Sequence, residues 1–177
     1  MELRVATMAD AAAIQALMTA SVQAIFPAFY DATQTASGVR YIGALDRMLI
    51  EDGTYFVVLA PDGSLAACGG WSRRDKLFSG EAPSGREARL LDPAREPARV
   101  RAMFVHGDWT RRGLGSCILD ACAAAARVEG FSELSLMATM PGMPLYRSWG
   151  FSGEQPEDLV MPDGVVMPGV AMRRRLV

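Results

Sequence analysis

The sequence predicts a single α/β domain that spans residues 1–177. Segments rich in β-branched and aromatic residues alternate along the chain with segments whose apolar residues recur at helical spacing. Hydrophobic residues make up 50% of the chain, enough for one core, and no internal repeat or break in composition divides it. We therefore expect one sheet covered by helices.

The first 71 residues predict a strand, two helices and a hairpin. Residues 3–6 form a short strand, and Pro27 ends or kinks the helix that follows, whose apolar stripe is Ile14, Leu17, Met18, Val22 and Ile25. A second helix is predicted over residues 39–50 and is stopped by Asp52-Gly53. Residues 54–71 then form a hairpin, and Gly69-Gly70 indicates a bulge or bend near its end.

Residues 72–97 predict a long surface loop, because glycine, proline and charged residues alternate there. Two interpretations of its arginines stay open. They solvate the loop, or they attract an acidic acceptor or a nucleotide phosphate. The arginines in question are Arg73, Arg74, Arg86, Arg89 and Arg95.

The remaining elements follow from the same patterns. A strand over residues 98–105 precedes a helix from Leu114 that ends at Gly130, and a short helix over residues 142–149 is closed by Gly150. The other predicted elements are a strand over residues 134–138, an acidic loop over 153–158, a turn over 162–164, and final strands over 165–167 and 170–175, with Pro168-Gly169 breaking or beginning the last.

Composition excludes several classes of protein. The net charge of −2 provides no global basic field, so we expect no nucleic-acid partner. Cys68, Cys117 and Cys122 lack metal-ligand spacing and His106 is the only histidine, so we expect no metal site and a reducing, cytoplasmic location. No apolar run approaches the length of a membrane span, and the N-terminus lacks a signal-peptide core, so we expect no membrane partner.

The most informative stretch is residues 103–116, which reads as a strand, a turn and a helix. The loop carries Arg111, Arg112, Gly113 and Gly115 into a helix N-terminus, where unpaired N–H groups and the helix dipole attract anions. Glycines let the backbone approach a ligand, and arginines attract phosphate. The stretch therefore predicts a diphosphate cradle.

Two well-known phosphate-binding turns fit this stretch poorly. A P-loop requires Lys and then Ser or Thr after its last glycine, but Ser116-Cys117 follow Gly115. A dinucleotide fingerprint would have a third glycine where Ile118 stands, and an acidic residue closing the next strand, whereas Glu133 opens it.

Residues 110–115 instead resemble the signature of the GNAT N-acetyltransferase superfamily, Arg/Gln-x-x-Gly-x-Gly/Ala, which binds the pyrophosphate of acetyl-coenzyme A (acetyl-CoA). Thr110 departs from the pattern, and we expect weaker or rearranged binding at most. The resemblance implies backbone pairing of Met103 and Val105 with the pantetheine arm, and an N–H there that polarises the thioester carbonyl. The implied cofactor-binding residues are Met103, Phe104, Val105, Thr110, Arg111, Arg112, Gly113, Leu114, Gly115 and Ser116.

Residues 145–151 resemble a second GNAT segment, in which an aliphatic residue and a tyrosine are separated by three residues from Gly-Phe. In many members that tyrosine protonates the departing thiolate, and the matching residue is Tyr146. The other interpretation is that Tyr146 packs in the core. His106 is the nearest titratable group for a general base, but many members carry such a histidine without catalytic duty, so the base stays unassigned.

The resemblance implies a GNAT-type fold: a mixed, mostly antiparallel twisted sheet, helices on both faces and a V-shaped opening beside the fourth strand. It also implies metal-free acetyl transfer from acetyl-CoA to a primary amine of a small molecule or protein, and it admits a homodimer. The aromatic stretch of residues 26–30 either packs a helix connection or forms a wall of the acceptor pocket.

Two alternative functions remain. The protein could bind an acyl-CoA without catalysis, as a sensor or assembly module, which intact Tyr146 disfavours. It could also be a phosphotransferase with another nucleotide, which the missing lysine and Mg²⁺-binding acids disfavour.

Overall fold

A computed structural model of the protein describes residues 1–76, 88–153 and 156–176. Within these residues, seven strands form one sheet: β1 (Glu2–Val5), β2 (Tyr55–Leu59), β3 (Leu65–Ser72), β4 (Ala98–Val105), β5 (Glu133–Thr139), β6 (Pro156–Val160) and β7 (Val166–Arg175). Their spatial order is β1-β2-β3-β4-β5-β7-β6. All neighbours are antiparallel except β4 and β5, which confirms the mixed, mostly antiparallel sheet.

Helices cover both faces of this sheet, as predicted. They are α1 (Ala11–Ile25), α2 (Ala32–Tyr41), α3 (Arg47–Glu51), α4 (Leu114–Val128) and α5 (Met143–Ser148). Because side chains alternate along a strand, Val57 packs with the stripe of α1 on one face while Val58 packs with α4 on the other. The core therefore has two apolar layers, one on each side of the sheet.

The segment Met8–Ala28, which contains α1, is long and apolar enough to cross a membrane by length and composition alone. We expected no such segment from the sequence. Its stripe of Ile14, Leu17, Met18 and Val22 is buried against the sheet, as in a core helix of a folded domain.

The helix predicted over residues 39–50 is wrong, because the chain forms two helices with a break between Tyr41 and Arg47. Gln15 of α1 holds the break: its Nε2 donates to the Gly43 carbonyl (2.6 Å) and its Oε1 accepts from the Leu45 N–H (2.9 Å). The Asp46 side chain then accepts from the N–H of Met48 and starts α3.

The acidic loop predicted over residues 153–158 is also wrong in its second half. Residues 156–158 begin β6, which pairs with β7 from Pro156 opposite Val170 to Val160 opposite Val166. A proline is tolerated there because β6 is an edge strand. Strand β7 runs unbroken through Pro168-Gly169.

The bulge predicted at Gly69-Gly70 is present and shapes β4. Cys68 pairs with Phe104 and Gly70 with Arg101, so Gly69 faces both Ala102 and Met103. Ala102 adopts a φ of +52°, and the Tyr55 hydroxyl donates to its carbonyl (2.7 Å). A side chain at position 69 would collide with the Met103 sulfur. Strand β4 is thereby kinked at its centre.

Candidate active site

Strands β4 and β5 separate along most of their length. They pair only where Ala98 faces Leu134 and Arg99 faces Ser135. Strand β5 stays paired with β7 through Thr139, and β4 stays paired with β3 through Val105. Among the described residues, the facing edges over 100–105 and 136–139 have no ladder partner. This is the V-shaped opening that was predicted beside the fourth strand.

A cavity of about 660 Å³ occupies this opening. It extends from the loop before α4, along β4, to residues of α1 and the end of α2. The predicted site residues on its wall are Met103, Phe104, Val105, Thr110, Arg111, Gly113, Leu114, Gly115, Ser116 and Tyr146. The structure therefore brings together all the predicted residues except Arg112.

The N-terminus of α4 presents free backbone donors to this cavity. The first α-helical bond of α4 runs from the Cys117 N–H to the Gly113 carbonyl (3.0 Å). The N–H groups of Leu114, Gly115 and Ser116 precede it and have no acceptor within the helix. All three residues line the cavity, at the positive end of the helix dipole. The arrangement can bind an anion such as a diphosphate.

The two glycines of the loop, Gly113 and Gly115, are needed for different physical reasons. Gly113 has a φ of +79°, and an added Cβ would meet nothing within 4 Å. An added Cβ at Gly115 would lie 2.7 Å from Cδ2 of Leu145 in α5. Gly113 is therefore required by backbone conformation beside open space, whereas Gly115 also allows α5 to pack on α4.

Two polar side chains of the loop before α4 make contacts within that loop. The Thr110 hydroxyl donates to the Gly107 carbonyl (3.0 Å), so this departure from the family signature closes a local turn. The Arg112 guanidinium lies 4.6 Å from the centre of the Trp109 ring, and Trp109 itself lines the cavity. Arg111, with a φ of +61°, is the loop arginine on the cavity wall.

Tyr146 lies on α5 with its ring buried and on the cavity wall. The ring meets Phe151 edge-on, with centres 5.9 Å apart. Among the described residues its hydroxyl has no hydrogen-bond partner. Burial raises the pKa of the phenol well above its ordinary value, so the hydroxyl stays protonated at neutral pH. Both interpretations of Tyr146 therefore describe part of its setting, since the ring packs and the residue lines the cavity.

His106 is exposed, and its Nδ1 accepts a hydrogen bond from the Asp108 N–H (3.2 Å). It caps the turn Gly107–Trp109 and does not line the cavity. Its position gives no support to a role as general base.

Arg101, a buried residue on the cavity wall, was not predicted from the sequence. Its side chain is 3% exposed, and its Nη1 donates to Oδ2 of Asp46 (2.9 Å), which also pairs with Nζ of Lys76 (2.9 Å). Burial acts to raise the pKa of Asp46, but these two cations outweigh it and hold that pKa below its usual range. The Nε and Nη2 of Arg101 have no hydrogen-bond partner within the described chain.

The aromatic stretch at residues 26–30 includes one residue that lines the cavity and one that packs the helix connection. Phe26 is buried and lines the cavity together with Ser21, Ile25 and Ile42. The Tyr30 hydroxyl accepts from the Met140 N–H (2.8 Å) and donates to the Pro168 carbonyl (3.0 Å), so Tyr30 packs the helix connection onto the sheet. Phe29 is exposed.

Four of the five arginines noted in residues 72–97 have ion-pair partners among the described residues. Ion pairs join Arg73 to Glu129, Arg74 to Asp52, Arg89 to Glu96 and Arg95 to Asp92. None of these four arginines lines the cavity. Arg86 lies outside the described residues.

Comparisons with solved structures identify the fold. A GCN5-related N-acetyltransferase from Rhodopseudomonas palustris superposes with a TM-score of 0.74 at 18% identity, covering 99% of this chain and 95% of that chain. The PaiA N-acetyltransferase from Thermoplasma acidophilum, in complex with coenzyme A, gives 0.65 at 12% identity and 98% coverage of both chains. A phosphinothricin acetyltransferase from Sinorhizobium meliloti, in complex with acetyl-CoA, gives 0.65 at 17% identity, with 99% and 88% coverage.

At these identities the structural likeness establishes the fold alone. A search of curated proteins found no sequence match. In contrast, the family of the acetyltransferase (GNAT) domain matches residues 51–153, more than half of the chain and the part that holds both signature segments. The protein therefore belongs to the GNAT acetyltransferase family.

Proposed function

We propose that this protein is an N-acetyltransferase that moves an acetyl group from acetyl-CoA to a primary amine. The observation that carries the proposal is one cavity in which the unpaired edge of β4, the free amides of α4 and Tyr146 meet. Family membership supports the same conclusion. Acetyl-CoA supplies the activated thioester. Residues of the cavity bind it, stabilise the oxyanion and protonate the departing thiolate.

The N–H groups of Leu114, Gly115 and Ser116 are proposed to bind the diphosphate, with Arg111 adding positive charge at the cavity wall. The unpaired edge of β4 offers Met103 and Val105 backbone groups to an extended arm, in the manner of an added strand. This arrangement orients the thioester along β4.

The chemical step needs stabilisation of a negative oxygen and protonation of a thiolate. A backbone N–H near the kink of β4 at Met103 would stabilise the oxyanion that forms when the amine attacks. The C–S bond then breaks, and the Tyr146 hydroxyl donates its proton to the departing sulfur. The phenol holds this proton at neutral pH because its ordinary pKa is about 10, and burial raises the pKa of Tyr146 further. The amine's own proton leaves to solvent, and solvent returns a proton to the Tyr146 phenolate.

The proposal is tested by calorimetric titration with acetyl-CoA, with ATP and NAD as comparison ligands. We expect selective binding of acetyl-CoA, followed by release of coenzyme A thiol when an amine acceptor is present. Equal binding of all three ligands, or binding of none, would remove the proposal.

A matched pair of glycine variants locates the binding site. Gly113 and Gly63 have φ values of +79° and +83°, and an added Cβ at either would meet nothing within 4 Å. Gly113→Glu and Gly63→Glu therefore impose similar backbone strain, but only Gly113 lies at the proposed cradle. We expect Gly113→Glu to abolish acetyl-CoA binding and Gly63→Glu to retain it.

A further inference from the structure

We propose that Tyr55 is a positioning residue for acetyl transfer: its hydroxyl fixes the peptide between Ala102 and Met103 so that the Met103 N–H faces the thioester carbonyl. The inference rests on the proposed function and assigns a further residue to it. It starts from the kink of β4, where the Tyr55 hydroxyl donates to the Ala102 carbonyl (2.7 Å). Tyr55 is fully buried on β2 and does not line the cavity, so it would act on the reaction only through this peptide.

The backbone conformation of Ala102 requires contacts that hold it. Its φ of +52° lies in the left-handed region, which is unfavourable for a residue with a Cβ. Among the described residues, only Ala102 and Arg111 combine a positive φ with a side chain, and both lie on the cavity wall. Strain of this kind persists where the surrounding structure holds it, and it is frequent at functional sites. The hydrogen bond from Tyr55 is such a restraint.

The direction of the Met103 N–H follows from the pairing of β4 with β3. The His106 N–H donates to the Ala66 carbonyl of β3 (2.9 Å). Because backbone donors alternate between the two sides of a strand, the Phe104 N–H also faces β3, and the Met103 N–H faces the open edge. In a trans peptide the C=O and N–H groups point in opposite directions. A carbonyl of residue 102 that is held by Tyr55 therefore directs the Met103 N–H away from β3, into the opening.

Two neighbouring glycines make the contact from Tyr55 possible. Tyr55 pairs with Gly70 on β3, and an added Cβ at Gly70 would lie 2.6 Å from Cδ2 of the tyrosine ring. Gly69 thus forms the bulge, whereas Gly70 leaves room for the ring to reach past β3 to β4. The hydroxyl also lies 4.0 Å from the Met18 sulfur, which is a weaker acceptor than a carbonyl oxygen.

The same hydrogen bond strengthens the proposed donor. Linked hydrogen bonds polarise one another in a low-dielectric interior, so a peptide whose carbonyl accepts a hydrogen bond has a stronger N–H donor. The phenol is protonated at neutral pH because its ordinary pKa is about 10, and burial raises the pKa of Tyr55 further. Tyr55 would therefore both orient and polarise the Met103 N–H.

The test measures the carbonyl stretching frequency of bound acetyl-CoA by isotope-edited infrared spectroscopy. In the wild type we expect a lower frequency than in free acetyl-CoA, because the Met103 N–H donates to the thioester oxygen. Tyr55→Phe keeps the ring and removes only the hydroxyl, so it should reduce this shift by about half or more. Calorimetry should show nearly unchanged affinity for acetyl-CoA, because the cradle of α4 is intact. A loss of packing alone would lower the stability and leave the frequency of the bound carbonyl as in the wild type.

Thr54→Val is the matched control. Thr54 is buried, directly precedes Tyr55, and its hydroxyl also donates to a backbone carbonyl, that of Leu49 (3.2 Å). The valine variant therefore loses a buried hydroxyl that is not bonded to β4. It should leave both the carbonyl frequency and the affinity for acetyl-CoA unchanged.

NMR of the wild-type protein gives a measurement that does not depend on the folding of a variant. The Tyr55 hydroxyl proton should give a signal that exchanges slowly with water, because the group is buried and donates to a carbonyl. The Met103 amide resonance should move to lower field when acetyl-CoA binds.

Each outcome assigns a failure to one proposal. If acetyl-CoA does not bind to the wild type, the proposed acetyltransferase function is wrong. If acetyl-CoA binds with the same carbonyl frequency in the wild type and in Tyr55→Phe, the positioning role is wrong and the acetyltransferase function stands. A Met103 amide resonance that does not move on binding would also overturn the positioning role, even if Tyr55→Phe does not fold.

Discussion

Burial of Tyr146 extends the pH range in which its phenol stays neutral, and this gives its proposed role a kinetic signature. Tyr146→Phe should lower kcat by roughly 10²–10⁴-fold, the usual contribution of a placed acid, and leave the affinity for acetyl-CoA unchanged. Because its pKa is raised, the wild-type rate should not fall from ionisation of Tyr146 as the pH rises to about 10. Steady-state kinetics and calorimetry measure both effects. A Phe variant with full turnover would remove the assigned acid.

The three cysteines differ enough to be distinguished chemically. Cys68 and Cys122 are buried, and burial raises the pKa of Cys68 to about 12 and that of Cys122 further, so their thiolates are scarce. Cys117 is exposed on α4. A disulfide reagent should therefore label one thiol rapidly in the native protein, and Cys117→Ser should abolish that fast phase. A second fast thiol in the native protein would contradict this assignment.

Residues of the site differ in how far the sequence could predict them. Tyr146 and Gly113 belong to short segments whose spacing carries information, so both were found on the cavity wall as expected. Arg101 was missed because arginines at positions 99 and 101 alternate with apolar neighbours, which is typical of a solvent-facing edge. Its partner Asp46 is 55 residues away, and only the tertiary structure brings the two together.

At the scale of elements, Gly115 sets the contact between α4 and α5. Gly115→Ala places a methyl group 2.7 Å from Cδ2 of Leu145 and should displace that side chain into the cavity wall. We expect weaker acetyl-CoA binding with little change in stability, because the displaced atom is the end of a flexible side chain and alanine is favoured over glycine in a helix. Leu145→Ala should partly reverse the binding defect, although it destabilises the fold by itself. A double-mutant cycle measures the coupling, and strict additivity would contradict the contact.

Elements with a strong local signal were predicted well, and those formed by distant partners were not. The stripe of α1 and the turn into α4 follow from periodicity and glycines. The break between α2 and α3 depends on Gln15, which lies on another helix and takes backbone hydrogen bonds that a continuous helix would make internally. Strand β6 forms because β7 lies beside it, and its acidic sequence carries no strand signal.

At the scale of the whole molecule, buried and partly buried carboxylates make stability depend on pH. Arg4 holds the pKa of Asp10 well below its usual range, and the charges of Arg101 and Lys76 lower that of Asp46 despite its burial. Because the folded-state pKa values lie below the unfolded value of about 3.9, this stability is complete above about pH 5 and is lost as the pH falls below 4. Urea unfolding at a series of pH values measures the slope.

Asp46→Asn separates the two contributions. It should destabilise the protein by about 3–5 kcal/mol at pH 7, because it leaves buried Arg101 without a charged partner. It should also reduce the dependence of the free energy of unfolding on pH in the acid range. The pH dependence that remains comes from the more exposed pair of Asp10 and Arg4 and should weaken at high salt. An unchanged slope in Asp46→Asn would contradict the assigned ion pair.

The short junction of β4 with β5 has a mechanical consequence. The sheet has two halves, one formed by strands β1–β4 and the other by strands β5–β7. Only two residue pairs of the β4–β5 ladder join these halves, so the sheet is weakly connected at its middle. Acetyl-CoA bound along the open edges would contact both halves of the sheet and hold them together. At a concentration 100 times its Kd, it would raise the free energy of unfolding by about 2.7 kcal/mol. We therefore expect the lifetime of the chain against proteases to follow the supply of its own substrate.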